Sequence, residues 1–227
     1  MTEYLSEVRL LADPELAEFS SKLTPGKGNI IGVRVLQLRA IAKRIVKEDW
    51  EGFLDEVPQS FEEEMLRGIV IAIAPVDTAR RIELTEAFVP MVDNWATCDV
   101  FCSSWKCSRR DMDEAWEYFA SLMDSGEEYR MRMSVVARMS LFKDRDRMSE
   151  LARDIEVHDN PGYYYRMGAA WAASVIYVRF PEIGTSMLES GRMEAWTHNM
   201  TIRKICESRR VTGEQREQVR SLRRRGP

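Results

Sequence analysis

RMGAAWAASVIYV, residues 166–178, reads as an apolar helix opened by an arginine, and the chain uses the same device at Arg67 before GIVIAIA and at Arg132 before MSVVARM. The spacings are uneven and no exact repeat accompanies them. Apolar helices of this size, joined by short loops, point to stacked antiparallel helix pairs of the HEAT kind, whose inner helices gather on one concave face. The expected fold is therefore all-α, a curved α-α superhelix of HEAT-like pairs. The alternative is a compact helical bundle without superhelical curvature.

Helical periodicity extends over nearly the whole chain, and strand-like alternation never lasts more than a few residues. It predicts helices near 2–11, 14–23, 34–48, 50–56, 61–74, 77–89, 92–106, 111–123, 127–142, 145–156, 163–179, 182–189, 193–208 and 213–225. Pro14, Pro58, Pro75 and Pro181 cannot extend a helix interior, and Asn160-Pro161-Gly162 makes a turn. Ser60 with Glu63 and Thr212 with Gln215 match a capping box, and Asp111 with Glu114 puts acid into a first turn. The one sizeable irregular stretch is TPGKGNIIG at 24–32, whose GKGN lacks the length and the terminal Lys-Ser/Thr of a phosphate-binding loop.

A chain of 227 residues with no evident linker is expected to form one domain over 1–227. Hydrophobic residues make up 44% and charged ones 31%, and no apolar run approaches the roughly eighteen residues needed to cross a bilayer. The opening MTEYLSEVRLLA lacks a basic region, an apolar region and a cleavage site, so the expected compartment is the cytoplasm, with no membrane partner. Cys98, Cys102, Cys107 and Cys206 have no C-x-x-C spacing, and His158 and His198 lie far from the first three. Buried thiols in a reducing compartment are expected, with no metal and no cofactor.

The net charge of −4 hides an asymmetry, because residues 1–125 carry 14 basic and 23 acidic groups and residues 126–227 carry 19 and 14. Beyond Thr201, Arg203, Lys204, Arg209, Arg210, Arg216, Arg220 and Arg223 to Arg225 face only three acids. Such a run attracts phosphate or forms a solvated, frayed helix.

Within the helix at 92–106, Trp95, Cys98, Cys102 and Trp105 make a stripe at helical spacing, ordinarily a core face. Asp99 stands at its margin, four residues after Trp95 and therefore on nearly the same side. Such a carboxylate usually pairs with a neighbouring helix; held among tryptophans, it stabilises a cation. Trp171, set among small residues in AAWAAS, is either a packing contact or a second such ring. Of Tyr163, Tyr164 and Tyr165, at most two can share a surface, where they would touch phosphate or sugar.

GVRVLQLRAIAKRI at 32–45, DNWATCD at 93–99, RMSVV at 132–136, RMGAAWA at 166–172 and KICESRRV at 204–211 resemble, in this order, the AlkD-like DNA alkylation repair glycosylases, a HEAT-like family. The resemblance implies that Trp95, Asp99 and Trp171 are catalytic and that Arg132 lies at the DNA-contacting edge, with Arg166, Tyr164 and Lys204 as further DNA contacts. It implies hydrolysis of the N-glycosidic bond of 3-methyladenine or 7-methylguanine in duplex DNA by a monomeric enzyme. Those purines carry a formal positive charge and leave readily, so a fixed carboxylate and two aromatic faces suffice to stabilise the oxocarbenium-like sugar. Two positions depart from the family pattern: Ser174 occupies the place of an arginine and Leu36 that of a proline. They keep open a noncatalytic relative that binds bent, branched or damaged DNA, and the acidic N-terminal half keeps open a protein-interaction scaffold.

Overall fold

The computed structural model describes residues 3–224. All of the expected helices are found there, and no strand occurs among the described residues. The expected helix ends at 2 and 225 lie outside them. The chain divides into two compact units, one up to Ala115 and one from Trp116 onward.

The first unit holds α1 (Glu3–Leu10), α2 (Pro14–Leu23), α3 (Val35–Glu48), α4 (Trp50–Asp55), α5 (Phe61–Ile73), α6 (Thr78–Phe88) and α7 (Trp95–Ser104). Its boundary falls inside α8 (Met112–Ser121). Alternate helices form one layer, α3 against α5 and α5 against α7, while α1 covers α3 and α5. Leu38, Ile41, Ile45, Leu66, Ile69 and Val70 fill the space between them and are almost completely buried. Each such side chain removed from water stabilises the fold by about 1.5–3 kcal/mol.

Three consecutive glutamates at the start of α5 hold the segment before them. Glu62, 2% exposed, accepts from the backbone N–H groups of Ile31, Gly32 and Val33 at 3.0, 2.8 and 3.3 Å. Glu63, fully buried, takes Arg9 Nε at 2.8 Å and Gln59 N at 2.6 Å. Glu64 pairs with Lys27 at 2.5 Å. The capping box expected at Ser60 and Glu63 is only half made: Ser60 Oγ accepts from Glu63 N at 3.2 Å, but the Glu63 carboxylate reaches Gln59 N and Arg9. Within the long loop, Gly32 has φ +80°, and a Cβ there would lie 2.1 Å from the carbonyl oxygen of Asp13. Only glycine fits both the left-handed backbone and this approach.

The second unit contains α9 (Glu128–Leu141), α10 (Arg145–Val157), α11 (Tyr163–Arg179), α12 (Pro181–Glu189), α13 (Ala195–Glu207) and α14 (Gly213–Ser221). One layer runs α9, α11, α13, and α10 packs against α12 in the other. These are the stacked helix pairs expected from the recurring apolar helices, and they are unlike a bundle around one central core. A Cβ at Gly184 would sit 2.5 Å from Tyr177 Cα, so glycine permits the close crossing of α12 over α11.

The recurring arginines turn out to be staples. Arg67 Nη1 donates to the Glu56 carbonyl at 2.9 Å, Arg132 Nη1 to the Tyr164 carbonyl at 2.6 Å, and Arg166 Nε to the Asn160 carbonyl at 3.2 Å. Each guanidinium donates to a main-chain oxygen outside its own helix; those of Glu56 and Asn160 lie between helices, and that of Tyr164 lies in the first turn of α11.

The last helix ends earlier than its periodicity predicts. Thr212 and Gln215 form the expected capping box, but the chain leaves α14 after Ser221 because α13 captures it. His198 Nε2 meets the Leu222 carbonyl at 2.8 Å, and Asn199 exchanges two hydrogen bonds of 3.0 Å with the Arg224 main chain.

Candidate nucleic-acid interface

α7 begins at Trp95, three residues later than expected, because the Asn94 side chain accepts from Thr97 N at 2.8 Å and caps it. Of the expected stripe, Cys98, Cys102 and Trp105 are core, and Trp105 Nε1 donates to Thr85 Oγ1 at 3.2 Å. Trp95 is different: it is half-buried and its Nε1 donates to the Leu23 carbonyl at 2.9 Å. Asp99, one turn further on, is also half-buried. An apolar cleft of about 280 Å³, lined by Leu16, Leu23, Val35, Phe61 and Met65, adjoins the Trp95 ring.

The segment leading into α7 is anchored by Lys27, whose Nζ lies 2.9 Å from Asp93 Oδ1 as well as 2.5 Å from Glu64. Burial acts to raise the Asp93 carboxyl, but hydrogen bonds from Lys27 and Asn94 outweigh it and hold the group below its ordinary value. Burial leaves Glu64 raised despite the same lysine. Lys27 was not singled out from the sequence, where GKGN is merely an irregular loop.

In the second unit, Trp171 is 37% exposed and lines a groove of about 510 Å³ between α11 and α13. Ser174, Lys204, Arg209 and Arg210 line it too. Ser174 is 6% exposed, and its hydroxyl donates back to the Trp171 carbonyl at 2.7 Å. Lys204 is half-buried; burial, then repulsion from Arg132 and Arg203, holds its pKa down against the pull of Glu207.

The structure places Arg132 inside this unit, 4% exposed, beneath the start of α11. Arg166 is half-buried, with Asp159 and Glu194 each 3.8 Å from its Nε. Arg132 and Tyr164 are thus brought into direct contact, while Arg166 turns to the preceding loop. Tyr164 belongs to a row of rings that the sequence reading missed: it stacks on Tyr129 at 5.6 Å, meets Tyr163 edge-on at 5.4 Å, and Tyr163 meets Trp196 at 5.8 Å. All four occupy the first or second residue of α9, α11 or α13, a recurrence at alternate helices that was the available signal. As the helical geometry requires, the third tyrosine turns away: Tyr165 is buried and donates to the His158 carbonyl at 3.1 Å.

Among the described residues no helix is long and apolar enough to cross a membrane, and no three His, Cys, Asp or Glu side chains group as a metal would need. Comparison with the curated proteins and with the solved structures gives no match. The family described as DNA alkylation repair enzyme matches residues 4–159, a span that contains Trp95, Asp99 and Arg132 and ends before Tyr164, Arg166, Trp171 and Lys204. Since that span is more than half of the chain, the protein belongs to the DNA alkylation repair enzyme family.

Proposed function

We propose that the protein is a monofunctional DNA glycosylase that hydrolyses the N-glycosidic bond of cationic alkylated purines, 3-methyladenine and 7-methylguanine, in duplex DNA. The observation that carries this reading is the half-buried Asp99 one turn after a hydrogen-bonded Trp95, within the family span. Asp99 faces the sugar as positive charge develops on it and orients water for attack at C1′. Trp95 gives its face to the deoxyribose, and the exposed Trp171 of the second unit gives its face to the DNA. A cation against an indole is worth roughly 0.5–2 kcal/mol, whereas a preorganised charged group supplies several, so Asp99 dominates the chemistry. Lys204 and Tyr164 meet the DNA backbone, and Arg132 and Arg166 support that surface from within.

The test is to incubate methylated duplex DNA with the protein and to look for free methylpurines by chromatography. Release of both bases is expected; their absence while DNA binding persists rejects the glycosylase. That outcome would favour a noncatalytic relative recognising branched or damaged duplex, a reading supported by Ser174, whose hydroxyl turns back onto its own helix.

A further inference from the structure

We propose that the groove between α11 and α13 is a phosphodiester-binding subsite in which Lys204, Arg209 and Arg210 hold the backbone of duplex DNA beside Trp171. This rests on the reading of DNA as partner and assigns a particular surface to it. Four cations line the groove, the fourth being Arg179, and its one acid, Glu207, is already paired with Arg203 at 3.0 Å. Lys204, Arg209 and Arg210 form no ion pair with any described residue. Other cations of the tail are committed: Arg216 to the Ser208 carbonyl, Arg220 to Glu217, and Arg224 to the Met193 carbonyl.

The turn that carries Arg209 and Arg210 is built before any ligand arrives. Ser208 accepts from Arg210 N at 3.3 Å through its hydroxyl and from Arg216 at 2.9 Å through its carbonyl, and Val211 is buried behind the turn. Little ordering is then required when a phosphate binds. Burial, and after it repulsion from Arg132 and Arg203, disfavours the protonated form of Lys204 against the pull of Glu207, and a polyanion in the groove offsets that penalty. The groove between α10 and α12 also holds arginines, but there Arg145 is paired with Glu182, and a second acid, Glu156, lines the groove with Arg153 and Arg192. That groove supplies the control.

The experiment measures binding of a short undamaged duplex across a salt series, with base release from methylated DNA followed separately. The Arg209→Gln/Arg210→Gln protein is expected to lose about tenfold in affinity at low salt and to flatten the logarithmic salt slope by about 2, and Lys204→Gln to flatten it by about 1. Arg153→Gln/Arg192→Gln, with the same change of net charge, is expected to leave both unchanged. Equal losses in the two double variants would reduce the effect to net charge, and an unchanged Arg209→Gln/Arg210→Gln protein would remove the subsite; either overturns the proposal. Loss of affinity for RNA but not for DNA would overturn it as well. Undamaged duplex reports binding whether or not the protein excises bases, so a failed glycosylase reading leaves this measurement intact.

Discussion

The indole N–H of Trp95 is hydrogen-bonded to the main-chain carbonyl of Leu23 at 2.9 Å, which ties the first residue of α7 to the last residue of α2. The bond fixes the plane of the ring while leaving part of its surface exposed. Trp95→Phe keeps an aromatic face and loses this tether, so it is expected to cost about 1 kcal/mol in stability and about tenfold in base release. Asp99→Asn preserves shape and removes the charge, and single-turnover release by the folded variant is expected to fall by roughly 10²–10³-fold. A fully active, folded Asp99→Asn protein ends the assigned role of this carboxylate.

Gly32→Ala tests the loop that Glu62 holds. The new Cβ meets the Asp13 carbonyl oxygen at 2.1 Å and Ala17 N at 2.6 Å, on a backbone that already has positive φ. A loss of about 3 kcal/mol or more is expected in denaturant unfolding, because neither clashing atom belongs to a side chain that can move aside.

Lys27→Met leaves Glu64 and Asp93 without their shared cation. Roughly 2 kcal/mol of destabilisation at neutral pH is expected, since the lysine side chain is only 10% exposed. The Asp93 carboxyl is held below its ordinary value of 3.8 in the folded protein, so its contribution is complete above that pH and disappears as pH falls through the folded value. Protonation of Glu64, whose pKa burial raises, removes the other charge even earlier. The difference in stability between wild type and variant should therefore shrink on acidification, which urea melts at a series of pH values will reveal.

His198 makes the C-terminal strap acid-sensitive. Burial, with repulsion from Arg224, lowers its pKa against the favourable hydrogen bond to the Leu222 carbonyl, and its Nδ1 is buried with no partner. The folded value lies below the ordinary one of 6.5, so stability is complete above pH 6.5 and is lost as pH falls through the folded value. Amide exchange in residues 222–224, corrected for its intrinsic pH dependence, is expected to accelerate on that descent. His198→Asn should exchange rapidly at both ends of the range.

Much of the fold was legible because its punctuation is local. Pro14, Ser60 and Pro181 mark helix starts through capping or a fixed φ, and the apolar helices between them carry their own period. The helix ending at Ser221 was misjudged because its terminus depends on His198 and Asn199, more than twenty residues away. The site divides in the same way. Trp95 and Asp99 share a helix, and the spacing alone puts them on one side of it. The resemblance puts Arg132 at the DNA-contacting edge, and nothing local reveals that its guanidinium donates a hydrogen bond to the Tyr164 carbonyl, far along the chain. The partners of Lys27 were equally invisible, since both charges that meet it come from other elements.

The glutamate run of α5 also dictates an order of events during synthesis. Arg9, Lys27 and the N–H groups at 31–33 each meet a carboxylate at positions 62–64. A nascent chain halted before Glu62 lacks these three carboxylates and the apolar face of α5, so protease should digest that fragment. Extension through the following apolar helix supplies anions and core together, and resistance should then appear in a single step.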